Sequence, residues 1–173
     1  KSAKAAGGLE LPRLEALASV CGGEETLEHP RAIRQKQPGM YTVKYHPVGG
    51  LLPAEKPAQL YAAIKDLRNA ECRVGPDETL YIVNLPAAGA EKVLALTEDG
   101  AKTEFEYSVA CIGATVCQQG VRDSQGLLQA AVSAVREAGI PDGALPRIRI
   151  SGCPSSCAAH QAGTIGFQGG VRL

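Results

Sequence analysis

The chain has 173 residues, 45% apolar and 21% charged, enough to bury a core without disulfides and too apolar for a disordered chain. Eighteen basic residues balance eighteen acidic ones, which removes the electrostatic case for a nucleic-acid or membrane-surface binder. No apolar run nears the ~20 residues of a bilayer span, the opening KSAKAAGG lacks a secretory apolar core, and the leading Lys points to a trimmed or excised chain.

Residues 1–8 read as a loose tail. Leu14, Leu17 and Ala18 recur at helical spacing within Leu9–Val20, and Cys21-Gly22-Gly23 closes that segment. Residues 22–39 are polar and turn-rich and carry the basic string Arg31, Arg34 and Lys36. A strand is predicted over Met40–Val48, with Tyr41, Val43 and Tyr45 on one face and Thr42, Lys44 and His46 on the other. Pro53–Ala70 reads as a helix with Leu60, Ile64 and Leu67 in its stripe. Glu71–Val74 and Thr79–Asn84 read as strands joined by the turn Gly75-Pro76-Asp77-Glu78, and Ala88–Leu96 as a helix.

The remainder differs in character. Cys111–Gly120 is glycine-rich and irregular. Asp123 or Ser124 caps a predicted helix that runs to Ala138, with Leu127, Leu128, Ala131, Val132 and Val135 inward and Gly139 beyond its end. Ile148 and Ile150 alternate with Arg147 and Arg149 in a strand leading to Gly152-Cys153, and a last strand begins at Thr164. The pattern is α+β, in three parts: 1–37, a tail and helix; 38–100, a small α+β unit; and 101–173, a cysteine-bearing unit.

Six cysteines are present, with no export signal and no dense disulfide framework, so a reducing, cytoplasmic setting is expected. Cys21 and Cys72 stand alone and read as core thiols. Cys111 and Cys117 form C-x5-C; Cys153 and Cys157 form C-x3-C. Four soft thiolates on small-residue backbone (Gly113, Ala114, Gly120, Gly152, Ser155, Ser156) suit a [4Fe–4S] cube, which needs close backbone approach and N–H groups near its sulfides. A structural zinc site prefers tighter pairs on smaller loops, and paired disulfides or unrelated core thiols are the remaining alternatives.

These cysteines, together with the peptide SGCPSSCAAHQAGTIGFQGG and the α+β unit over 38–98, resemble the siroheme-dependent nitrite and sulfite reductases. The resemblance implies a ferredoxin-like half domain followed by a siroheme and [4Fe–4S] domain. It implies that Cys111, Cys117, Cys153 and Cys157 ligate the cluster and that Cys157 also bridges to the siroheme iron. Reduction of sulfite to sulfide, or of nitrite to ammonia, is the implied activity, with electrons from a donor protein or domain. Anion binding calls for basic side chains, and Lys44, His46, Arg147 and Arg149 are the candidates, against the plain reading of solvated strand faces. Arg31 and Arg34 are candidates for the siroheme carboxylates, and His160 for a proton donor or a contact to the macrocycle, against a surface run and a structural histidine. Ile112 stands where the family often has Pro, and Ser155 where Asn is common. The single repeat is expected to be a piece of a longer reductase, or a small type completed by a second repeat or a homodimer partner. The alternative is a cluster-bearing electron-transfer module without catalysis of its own.

Overall fold

The computed structural model describes residues 22–171; the helix expected over Leu9–Val20 and Cys21 lie outside the described residues. Two sheets follow one another along the chain. The first is antiparallel and built from β1 (Ala32–Arg34), β2 (Met40–Tyr45), β3 (Glu71–Val74) and β4 (Leu80–Pro86) in the order β1-β2-β4-β3. Helices α1 (Lys56–Ile64) and α2 (Ala87–Leu96) cover one face. The second sheet is parallel, β5 (Val109–Ala110), β6 (Ile148–Ser151) and β7 (Ile165–Gln168), with α3 (Ser124–Glu137) in the crossover between β5 and β6.

The alternation in β2 sends Tyr41, Val43 and Tyr45 into a core with Ile82, Leu85, Leu60, Ile64, Ala90 and Val93. Between β2 and β4 the register passes from Tyr41↔Leu85 to Val43↔Ile82, so Val83 and Asn84 together oppose Thr42. Asn84 takes φ +60 there, the bulge geometry that keeps both flanks of β4 facing the helices. The predicted strand over Met40–Val48 ends early, at Tyr45, because Pro47 leads into a tight turn at Val48–Gly50 in which both glycines have positive φ. The predicted helix over Pro53–Ala70 is trimmed at both ends.

The polar segment 22–39 contains β1, which adds an edge strand that the reading of that segment as turns did not include. Arg31, just ahead of it, donates to Thr97 O (2.7 Å), Thr97 Oγ1 (2.8 Å) and Leu94 O (3.0 Å), satisfying carbonyls at the end of α2. Cys72 is not a core thiol: β3 is the outer strand and the residue is exposed.

In the second unit, Leu128 and Val132 of α3 pack on Phe105, Ala110, Ile148 and Ile150. Asp123 caps α3 by accepting from Gly126 N at 2.9 Å. Leu127, expected inward, lies half-exposed beside this narrower stripe. The side face of β7 is uncovered: Ile165 and Phe167, in register with buried Ile148 and Ile150, are 40% and 45% exposed. The two units meet at Gln125, whose Nε2 donates to Gly49 O and to Ala110 O, both at 2.7 Å.

Candidate functional site

The two cysteine pairs sit on loops laced together at Gly152. Cys111 leaves β5 with its N–H on Ile150 O at 3.0 Å, and its Sγ accepts from Gly152 N at 3.1 Å. Gly152 O in turn accepts from Val121 N (3.0 Å) and Arg122 N (2.9 Å), while Ala114 N donates to Arg122 O and Cys117 N to Gly113 O. Only hydrogen fits at the crossing: a Cβ on Gly152 would stand 2.6 Å from Arg122 O, and one on Gly120 2.7 Å from the Ala114 backbone. The glycines therefore serve close backbone approach, and they bring the first pair's loop to the residue before Cys153.

The five described thiols are free. Burial opposes ionisation of Cys111, yet hydrogen bonds from Ser124 and from the Gly152 and Gly113 backbone outweigh it and draw its pKa below the ordinary thiol value. The Ser124 hydroxyl lies 3.2 Å from Cys111 Sγ and 2.7 Å from Cys111 O. Cys153 is buried, Cys117 half-buried and Cys157 exposed. On either side of Cys157 and Ala158, Ser156 (φ +59) and Ala159 (φ +50) occupy the left-handed region, a conformation that costs a non-glycine residue about 1–2 kcal/mol. That loop is anchored by Ala158 N on Ser151 Oγ (3.3 Å) and by Arg149 Nη1 on Ala158 O (3.1 Å). Among the described residues no three His, Cys, Asp or Glu side chains are gathered to hold one metal ion.

The basic candidates from the two sheets fall into distinct places. Lys44 Nζ stands 5.3 Å from the centre of the Tyr107 ring and the Arg147 guanidinium 5.0 Å from it. His46 packs against the same ring at 4.9 Å but is only 2% exposed. Its Nδ1 lies 3.0 Å from Thr79 Oγ1, and burial lowers its pKa, so it is a neutral support beneath the ring rather than a group open to an anion. Lys44 and His46 thus lie against one ring, as their shared strand face predicted, although β2 ends at Tyr45 and His46 is buried rather than solvated. Arg147 also carries a two-pronged pair with Glu104, Nε to Oε1 at 2.5 Å and Nη2 to Oε2 at 3.0 Å.

Arg149 faces Glu78, whose carboxyl is pushed up to about 7 by burial, with Arg149 working in the opposite sense. Glu78 Oε2 is buried without a hydrogen-bond partner, at the β3–β4 turn and beside Gly50. Arg31 is committed to the end of α2, as described above. Arg34 is exposed on β1 and lines a separate cleft of about 360 Å³ with Gly22–Thr26 and Pro38. His160 sits in a short turn after Ala159, where Gly166 passes so close that a Cβ there would meet His160 O at 2.0 Å.

Tyr107, Glu78 and Gln125 were not singled out in the sequence. Tyr107 lies in a stretch without strand or helix period, and its one signal is an aromatic directly upstream of the strand that delivers Cys111. A cleft of about 390 Å³ is lined by Arg31, Lys102, Glu104, Tyr107 and Asp142 among others, and by no cysteine. No helix among the described residues is long and apolar enough to cross a membrane.

Comparison with known proteins gives these arrangements a context. Residues 33–99 match the family described as the nitrite/sulfite reductase ferredoxin-like half domain. Over 117 residues the chain is 27% identical to the sulfite reductase (NADPH) hemoprotein beta-component of Bacillus subtilis, covering 61% of this chain and 20% of that protein. The protein of the same name from Salmonella typhimurium is 27% identical over 115 residues, with the same coverage. Among solved structures, the NirA protein of Mycobacterium tuberculosis aligns with 88% of this chain and 30% of its own, with a TM-score of 0.67 at 20% identity. Dissimilatory sulfite reductase I aligns with 69% and 30%, with a TM-score of 0.50 at 18% identity. These structural likenesses show a shared fold, and the chain spans about a fifth of the length of the curated relatives it matches.

Proposed function

We propose, for a chain whose residues 33–99 match the nitrite/sulfite reductase ferredoxin-like half-domain family, that the following unit binds a [4Fe–4S] cluster and siroheme and serves the reduction of sulfite or nitrite. The observation that carries this reading is the lacing at Gly152, which sets Cys111 against the residue preceding Cys153. The donor set fits the group: four unpaired thiols on glycine-rich backbone, one of them with its thiolate favoured by Ser124 and Gly152. Cys111, Cys117, Cys153 and Cys157 would hold the cluster, and the exposed Cys157 is the thiol open to a further partner such as the siroheme iron. Cluster and siroheme supply electron storage and the iron at which the anion is reduced.

The chain's own residues contribute charge and position. Lys44 and Arg147 present cations at the seam between the two units, where an inorganic anion or a ring carboxylate would be attracted. Arg149 holds the Cys157 loop through Ala158 O and at the same time faces Glu78, the carboxyl in this seam able to keep a proton near neutral pH. A reducing compartment suits the free thiols, and a second repeat or a second copy of the chain would add the opposite wall.

A second reading is a cluster-bearing electron-transfer module without catalysis, favoured by the cleft of about 390 Å³ beside Tyr107 and Arg31 touching no cysteine. Reconstitution with iron, sulfide and siroheme separates the two. Tetrapyrrole absorption together with sulfite- or nitrite-dependent oxidation of reduced viologen is expected, and Cys157→Ser should lower the tetrapyrrole band. Cluster absorption with neither tetrapyrrole nor anion-dependent turnover gives the second reading; zinc in place of iron refutes both.

A further inference from the structure

We infer that Tyr107 is a positioning residue, which joins a cation from each sheet into one anion-binding pair. The inference deepens the proposed reading of Lys44 and Arg147 as anion-attracting groups. Lys44 arrives from β2 and Arg147 from the start of β6, and neither strand hydrogen-bonds the other. What they share is one ring, with Nζ at 5.3 Å and the guanidinium at 5.0 Å from its centre. An aromatic face attracts both cations and so offsets part of the repulsion that would otherwise drive two like charges apart.

A platform works only if it is fixed, and the turn that carries Tyr107 is anchored at the residues before and after it. Phe105 is buried in the second core. Glu106 accepts from Lys102 N at 2.6 Å and from Arg136 Nε at 2.7 Å, which ties the turn to α3. Ser108 Oγ accepts from Ile148 N at 2.9 Å, placing the turn directly beside Arg147. His46 packs against the ring at 4.9 Å and is itself fixed by Thr79.

Counter-charge divides unequally between the two cations. Lys44 has no carboxylate partner among the described residues, whereas Glu104 holds the Nε and Nη2 edge of Arg147. Glu104 thus competes with any incoming anion. Its removal should tighten anion binding, the opposite of what loss of a merely structural ion pair would do.

The test is a sodium sulfite titration of the full chain, loaded or unloaded, followed by NMR of the Lys44 and Arg147 side chains against sodium chloride at equal ionic strength. Both side chains should follow one saturable curve. Tyr107→Leu should weaken it about tenfold and split it into separate responses; Tyr107→Phe, which keeps the ring, should stay within about twofold, the size expected when only a cation–π platform of roughly 1–2 kcal/mol is lost or kept. Glu104→Gln should tighten it severalfold. The inference is overturned if sulfite acts no differently from chloride on the unsubstituted chain, or if Tyr107→Leu remains folded and binds sulfite as tightly. Anion turnover is read separately. A saturable pair in a protein that reduces nothing removes the reductase reading and leaves the platform standing.

Discussion

The two units of this chain are stabilised in different ways. The first, from β1 to α2, has two helices on a sheet and a continuous apolar cluster centred on Tyr41, Tyr45, Leu60 and Ile82. The second has a smaller cluster under α3, an uncovered β7, and two long loops whose shape comes from backbone hydrogen bonds around glycine rather than from side chains. Packing dominates in one, close backbone approach in the other. Substitutions in the first should register as lost stability, and those in the second as lost capacity to bind the proposed cluster.

That division can be broken from either side. The largest effect is expected for Gly152→Ala, whose methyl would press on Arg122 O at 2.6 Å and open the lacing. Iron content after reconstitution should fall about tenfold or more, as when groups that orient metal ligands are lost, while far-UV circular dichroism and the first unit persist. Undiminished iron would mean that backbone approach at Gly152 does not shape the site. Ile82→Ala should do the reverse, costing about 3–4 kcal/mol in denaturant unfolding while leaving iron per folded molecule unchanged.

Glu78 gives the smallest effect and sharpens the comparison, since it lies on the seam. The unfolded chain would bind its proton up to about pH 4.5, whereas the folded chain keeps it up to about 7. The folded state therefore binds more protons between these values, and the associated stability, complete below about 4.5, is lost as the pH rises through 7. Allowing for partial solvent access, the loss is about 2 kcal/mol. Denaturant curves from pH 4.5 to 8 should show it in the parent chain and a flatter profile in Glu78→Gln; parallel profiles would refute the burial argument.

How much of this was legible in the sequence follows from what kind of interaction fixed each part. β3, α2 and α3 were legible because period, turn residues and the Asp123 cap are local signals. The irregular, closely approaching backbone of the cysteine loops was legible in the small residues around them. β1 was hidden because three residues in a polar string become a strand only by pairing with β2, and nothing local announces that partner. Arg31 read as a free cation because the carbonyls it satisfies lie more than sixty residues downstream. Alternation set His46 beside Lys44, and both meet Tyr107, but its burial was hidden because Tyr107 and Thr79, which it packs on, come from distant stretches of the chain. Tyr107, Glu78 and Gln125 act across the seam, where no periodicity reaches.

The start of α3 illustrates how tightly that seam is set. Asp123 caps the helix, Ser124 reaches Cys111, and Gln125 spans Gly49 and Ala110, three consecutive side chains aimed at three different targets. One residue of an α-helix is a turn of about 100°, so a single insertion or deletion here would swing all three off their marks together. The loop at 139–143, whose two positive-φ glycines have open space around them, can change length without such a consequence. Length variation among relatives should therefore collect behind the helix and spare its first turn, which acts as the indexing pin of the molecule.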